Sequence, residues 1–340
     1  MNPLPPENEI AQASASLKKL RDTLNTVLFG QDHLVSMVII GLVSRGHILL
    51  EGLPGLGKTQ LAKGLSRALE LDFKRVQFTP DLLPGDITGN PILQELSPGQ
   101  RQFVFQPGPL FANLVLADEI NRASPKTQSA LLEAMQEGNV TVMGEGHRLP
   151  QPFFVVATQN PIELEGTYPL PEAQLDRFLF KLSVHKNDAR TLQQIISSRE
   201  IGVDPVIDRV CSREALASFL ALARRIFLPE VVAHYIARLV EASHPGLSKA
   251  ATGVKFGASP RAALALAAAA KSRALFEGRS NASFEDVRAV ALPVLEHRII
   301  LDYTARLDGR TTASMVSDLL EEIPAQSLSV PKTLQEAKLP

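Results

Sequence analysis

Residues Gly52-Leu53-Pro54-Gly55-Leu56-Gly57-Lys58-Thr59 constrain this chain more than any other stretch. They fit the pattern G-x-x-x-x-G-K-[S/T]. An apolar run, Ile48-Leu49-Leu50, precedes them, and a helical pattern from Lys58 to Leu69 follows. Strand, glycine-rich loop and helix is the setting in which backbone N–H groups converge on phosphate oxygens. Glycines keep side chains out of the way, and the helix turns its positive N-terminal end toward the anion. Lys58 is placed to reach the outer phosphates, and the Thr59 hydroxyl to ligate Mg²⁺. The loop therefore predicts a bound nucleoside triphosphate, without saying what the nucleotide is for.

A chain of 340 residues is long enough for about two domains. Its net charge of -1 argues against a broad nucleic-acid-binding face. The single Cys211 cannot form an internal disulfide, which fits a reducing compartment. No basic start leads into an apolar core, and Ala262 to Ala270 is too short and alanine-rich to span a bilayer, so a cytoplasmic protein is expected. The histidines show no spacing of a metal site.

The apolar residues Ile10, Leu17, Leu20, Leu24 and Leu28 recur at helical spacing, and a second helix is expected over Gln31–Ser44. Strands are then expected at His47–Leu50, Phe73–Phe78, Leu114–Asp118, Phe153–Thr158 and Phe178–Val184. Helices are expected between them around Lys58–Leu69, Pro125–Gln136 and Glu172–Asp176. That alternation predicts a parallel sheet covered on both faces. Two hairpins interrupt it, about residues 91–108 with a turn at Pro98-Gly99, and about residues 140–150. The stretch Asn187–Asp204 reads as polar. From about Pro205 the pattern is helical: Glu214–Ala223, Pro229–Ala242, Arg261–Glu277, Phe284–Arg298 and Ala313–Glu322. Ser259 is expected to cap the helix that opens with Pro260-Arg261. The end, Ala325 to Pro340, reads as loosely held. The organisation expected is an α/β domain over residues 1–200 and a helical lid over 205–340.

Leu114-Val115-Leu116-Ala117-Asp118-Glu119 is an apolar strand ending in two acids. In a parallel sheet such residues emerge beside the phosphate loop. Asp118 is assigned to Mg²⁺ and Glu119 to orienting and deprotonating water. Asn160, among the polar residues that end the strand expected at Phe153–Thr158, is either a contact to water and terminal phosphate or an ordinary Asn-Pro turn, with Thr158 and Gln159 weaker candidates for the same contact. Arg177 is either an arginine finger for a neighbouring subunit or a surface partner of Asp176, and Arg261 either works from within the chain or is an exposed first-turn residue. The residues alone leave these three pairs of readings open.

Taken in order, these motifs resemble the AAA+ ATPases, and within them the MoxR family. The similarity runs from Phe29 to about Leu320. It rests on Leu28–Gln31, Gly52–Thr59, Gln77–Asp86, Phe105–Pro109, Leu116–Ala123, Ala157–Pro161, Pro171–Phe178 and Gly257–Arg261. The resemblance implies a five-stranded parallel sheet in order 5-1-4-3-2 followed by an all-α lid. It implies ATP and Mg²⁺ as ligands, contacted by Phe29, Gly30 and Gln31 near the adenine and by Pro54, Gly55, Leu56, Gly57, Lys58, Thr59 and Gln60. Asn160 resembles sensor 1, Arg177 the trans-acting finger and Arg261 sensor 2. A hexameric homo-oligomeric ring is implied, with the two hairpins lining its pore. So is a chaperone-like ATPase that remodels protein complexes, often metal-dependent ones, with a von Willebrand factor A domain partner. The alternatives are a nucleic-acid motor or a metal-chelatase-type motor subunit. Neither hairpin is strongly basic, which disfavours nucleic acid.

Overall fold

The computed structural model describes residues 5–97, 100–161, 167–200 and 202–325. Two helices open the chain, α1 (Glu7–Asn25) and α2 (Asp32–Val43). Leucine spacing gives α1 one buried face, with Ile10, Leu17, Leu20 and Leu24 inside. The α2 sequence is apolar nearly all round, and most of its residues are buried. Then come β1 (Ile48–Glu51), α3 (Lys58–Ala68), β2 (Phe73–Gln77) and the short α4 (Pro84–Thr88). The first hairpin, β3 (Gly89–Ser97) and β4 (Gln100–Pro107), follows; its expected turn at Pro98-Gly99 lies outside the described residues. Next are β5 (Leu114–Asp118), α5 (Pro125–Glu137), the second hairpin β6 (Asn139–Val142) and β7 (Glu145–Arg148), β8 (Phe154–Gln159), α6 (Glu172–Leu175) and β9 (Phe180–Ser183).

The sheet order is β2-β5-β8-β1-β9, every pairing parallel. Counting only these five strands along the chain, that is 5-1-4-3-2 read from the other edge. Alternation explains why both faces are covered. Ile48, Leu50, Leu114, Leu116 and Val156 point into a core shared with α1, α2 and α3, while Leu49, Val115, Ala117, Val155 and Ala157 point into a second core around α5. His47 ties the sheet edge to α5. Its Nδ1 accepts from the Val155 N–H at 3.0 Å, and its Nε2 lies 3.0 Å from the Met135 carbonyl. Full burial pushes this imidazole down to about 4, so it stays neutral and acts as a structural bridge.

Two local expectations change. The stretch after Asn187 holds a helix, α7 (Ala189–Ser198), started by Asp188, whose carboxylate accepts from the Thr191 N–H. Leu192 and Ile196 on it face outward, so its pattern looks polar and irregular in sequence. The remaining elements are α8 (Arg213–Arg225), α9 (Glu230–Ala242), β10 (Val254–Phe256), α10 (Pro260–Phe276), α11 (Phe284–Leu295), β11 (Ile300–Leu301), α12 (Tyr303–Leu307) and α13 (Thr312–Glu322). The lid is therefore not purely helical. An antiparallel pair, Val254 with Leu301 and Phe256 with Ile300, joins the entry of α10 to the exit of α11. Strands this short carry no readable alternation.

The lid is held by a buried ionic group. The Asp286 carboxylate is 0 % exposed and takes Arg273 and Arg279 at 2.5 Å, with the Ser283 N–H at 2.8 Å. Burial works to raise its pKa, but the Arg279 hydrogen bonds and charge, with Ser283 and Arg273, outweigh it and hold the carboxyl below its ordinary value. A depressed folded pKa gives stability that is complete above the unfolded pKa and lost as pH falls through the folded one. Asp286→Ala is expected to cost about 3–5 kcal/mol in denaturant unfolding at neutral pH, because two arginines lose a desolvated partner. The wild-type advantage over this variant should shrink below about pH 4.

Candidate nucleotide site

The glycine-rich loop joins β1 to α3 at the carboxyl edge of the sheet. Gly57 stands at the N-cap of α3 with φ 85, in left-handed backbone that a side chain would strain. Lys58 Nζ donates to the Gly52 carbonyl at 2.7 Å, which folds the ammonium back over the loop. Burial pulls this ammonium below its ordinary range, against the opposing pull of Asp118 and Glu119.

Pro54, Gly55, Gly57, Lys58, Thr59, Gln60, Asp118, Glu119 and Asn160 line one cavity of about 330 Å³. Two residues to which the sequence motifs give no role at the site share it, Arg75 and Gln77 from β2. Pairing Gln77 with Asp118 in register puts both side chains at the same sheet edge. Arg75 reaches Asp118 Oδ2 at 2.7 Å, and Gln77 Nε2 donates to Glu119 Oε2 at 2.8 Å. Arg122 donates to the same Glu119 oxygen at 3.0 Å. Thr158 is the other contributor: its hydroxyl donates to Asp118 Oδ1 at 2.6 Å and accepts from the Glu119 N–H at 2.8 Å. Glu119 itself has φ 56, rare backbone for a residue with a side chain and a form of strain that concentrates at functional sites. One hydroxyl thus fixes both acids. The signal for Arg75 and Gln77 was their alternate positions, exposed beside buried Val76, on the strand next to Asp118.

A second cavity of about 390 Å³ lies across the loop and shares Gly55, Gly57 and Gln60 with the first. Val27, Leu28, Phe29, Leu56, Ile195 and Val203 give it apolar walls, with Gln31 and other polar groups between, the composition that suits a nucleoside base. Gly30 is not among the lining residues; it packs against Thr191 of α7 between Phe29 and Gln31, which are. Gln31 is fixed by its amide N–H bond to the His185 carbonyl at 3.0 Å. Ile195, Arg199 and Asp204 come from the stretch read as merely polar. Gln60 Oε1 is buried between the cavities without a hydrogen-bond partner, an acceptor that a ligand can satisfy. The donor set also fits Mg²⁺, since Thr59 and Asp118 offer hard oxygens at the phosphate side. Both Asp118 oxygens are already engaged, by Arg75 and Thr158, so it would hold a cation only through water or once Arg75 turned away.

The two arginines lie elsewhere. Arg177 lines a separate cleft of about 240 Å³ with Ser129, Glu133 and Gln136 of α5 and Gln174. Its Nε is buried without a hydrogen-bond partner. The expected local partner, Asp176, is taken instead by Arg298 at 2.8 Å, and Arg261 stands 3.7 Å from it. Arg261 is 54 % exposed and lines neither nucleotide cavity. Ser259 sits at the N-cap of α10 but does not cap it, because its hydroxyl lies 3.2 Å from Asp176 Oδ2.

A doubly covered parallel sheet with a phosphate loop, paired acids beyond its third strand and a lid define the AAA ATPases, and the chain belongs to that family. Residues 47–180 match the model described as ATPase family associated with various cellular activities (AAA), and residues 247–319 match the AAA lid domain. Within the family it belongs with the MoxR proteins. It is 41% identical to Chaperone MoxR1 of Mycobacterium tuberculosis, over 92% of this chain and 85% of that one. It is 32% identical to Protein MoxR of Methylorubrum extorquens, over 86% of this chain and 89% of that one. A crystal structure of a Cytophaga hutchinsonii protein described as an ATPase matches with TM-score 0.85 and 37% identity, over 94% of this chain and 98% of that one. No helix among the described residues is long and apolar enough to cross a membrane.

Proposed function

We propose that this chain is an ATP hydrolase working as a homo-oligomeric ring, with each ATP held by one copy and completed by Arg177 of the next. The observation that carries the reading is the separation of Arg177 from the loop cavity. A guanidinium with a buried, unpaired Nε, set in its own cleft, serves a phosphate only when another molecule brings one. Lys58 and the loop N–H groups bind the phosphates. Glu119 orients an attacking water and takes its proton, with Asn160 hydrogen-bonding that water. The new oxygen–phosphorus bond forms as the bridging one breaks, releasing ADP and phosphate. Thr59 and Asp118 would hold Mg²⁺, which would supply neutralisation of phosphate charge. Arg261 contributes from the lid once it turns from Asp176.

The proposed client is protein. Ile92, Leu93 and Phe103 are exposed on the first hairpin and Met143 on the second, and Phe105 stacks on His147 at 3.9 Å to join the hairpins. Exposed apolar groups grip polypeptide, whereas a nucleic-acid track would call for more cations. The naming of one relative as a chaperone supports the same direction. The MoxR resemblance extends the proposal to a von Willebrand factor A domain partner, maturation of metal-dependent complexes and a hexameric ring in the cytoplasm. A shared site makes specific activity depend on assembly. ATP turnover per chain should climb as chain concentration rises through the assembly range, then level off. Constant turnover per chain in a protein that sedimentation shows to be monomeric would overturn the shared site.

A further inference from the structure

The loop 176–179 is gripped from the lid at several points. Arg298, just beyond α11, has a side chain only 3 % exposed. Its guanidinium donates to the Asp176 carbonyl at 3.2 Å, to Phe178 O at 2.5 Å and to Leu179 O at 3.1 Å, besides Asp176 Oδ1 at 2.8 Å. His297 Nε2 adds a contact to Phe178 O at 3.0 Å. Burying a guanidinium this deeply is costly unless it is paired and fully hydrogen-bonded. Apart from the Val294 carbonyl of α11, the groups that satisfy it lie on either side of a single residue, Arg177.

Asp176 holds the other side of this grip. Its Oδ1 takes Arg298, and its Oδ2 takes the Ser259 hydroxyl at 3.2 Å and faces Arg261 at 3.7 Å. Ser259 forgoes capping its own helix to make this contact. One carboxylate thus meets both the end of α11 and the start of α10. Of the two arginines, Arg261 is the exposed and distant one, free to leave for a phosphate while Arg298 stays.

We infer that Asp176 is a positioning residue for Arg177, fixing through Arg298 the backbone that presents this arginine and tying it through Ser259 and Arg261 to the lid. This rests on the reading of Arg177 as a residue that acts on the neighbouring copy. Asp176 lines neither nucleotide cavity, and Arg261 leaves it to engage nucleotide, so what Asp176 does through Arg177 falls on the next chain's site. A lid that shifts when Arg261 engages nucleotide then moves the arginine offered to the neighbour.

The test uses mixed assemblies of two full-length chains. The Arg177→Ala chain keeps its phosphate loop and accepts help; the Lys58→Ala chain lacks a working loop and donates only Arg177. Asp176→Asn is placed first in the donor, then in the acceptor. We expect restored ATP turnover to fall about tenfold in the donor case and less than about twofold in the acceptor case, at unchanged KM. A defect of folding alone would act in both. Ser259→Ala, which removes one hydroxyl, is expected to cost about threefold in the donor and nothing in the acceptor, and decides the matter if the Asp176→Asn chain does not fold. Equal losses in both placements, or no loss in the donor, overturn the positioning role alone. No turnover from the two parent chains overturns the reading of Arg177, and this inference with it.

Discussion

Glu119→Gln is expected to lower ATP turnover by about 10²–10³-fold while leaving ATP affinity within about threefold. The asymmetry follows from where the residue sits. The proposed function gives phosphate binding to Lys58 and the loop N–H groups, whereas the Glu119 carboxylate lines the same cavity from the end of β5. Glutamine keeps the shape and the contact with Gln77, but it cannot accept the proton of the attacking water. The backbone strain at φ 56 and the Thr158 contact to the Glu119 N–H are independent of the side chain, so the fold should be unaffected. Steady-state kcat beside direct nucleotide binding checks this. A kcat within tenfold of wild type removes Glu119 from the role of base.

Arg177→Ala is expected to reduce kcat by about 10³-fold with no change in the affinity of a single chain for ATP. Removing a cation that lay within the loop cavity would weaken binding as well as turnover. Arg177 lines neither nucleotide cavity, so binding should be spared. Deleting a guanidinium whose Nε has no hydrogen-bond partner also leaves no orphaned partner of that group, so stability should change little. Turnover and single-chain binding measured side by side distinguish these cases. Weakened binding in the isolated chain would place Arg177 in its own site.

The frame of this molecule was readable because its signals are local and dense. Five apolar runs, each bounded by a helix pattern or turn, announce a parallel sheet, and the loop pattern marks which strand edge meets phosphate. Asp118 and Glu119 were readable for the same reason, as acids ending an apolar strand. What escaped depends on neighbours distant in sequence. Thr158, a weaker candidate in the sequence for contact to water and phosphate, becomes the brace of both acids only because β8 lies beside β5. Gln77 and Arg75 enter the cavity only because β2 pairs with β5. The α7 helix buries little and looks like a polar linker, yet it lines the second cavity with Ile195. Asp176 looked like the partner of its sequence neighbour, and packing of the lid gives it to Arg298 instead. Ser259 carried a capping signature, and its hydroxyl is diverted across the domain boundary. Local rules name the residue types; tertiary register decides their partners.

The central claim is that one active site is divided between two chains. Mixing the Arg177→Ala chain with the Lys58→Ala chain, each inactive alone, tests it most directly. A divided site predicts that ATP turnover returns, at up to about a quarter of wild-type sites for random pairing of equal amounts. Turnover that stays at the level of the separate chains, in mixtures that sedimentation shows to have co-assembled, would contradict it.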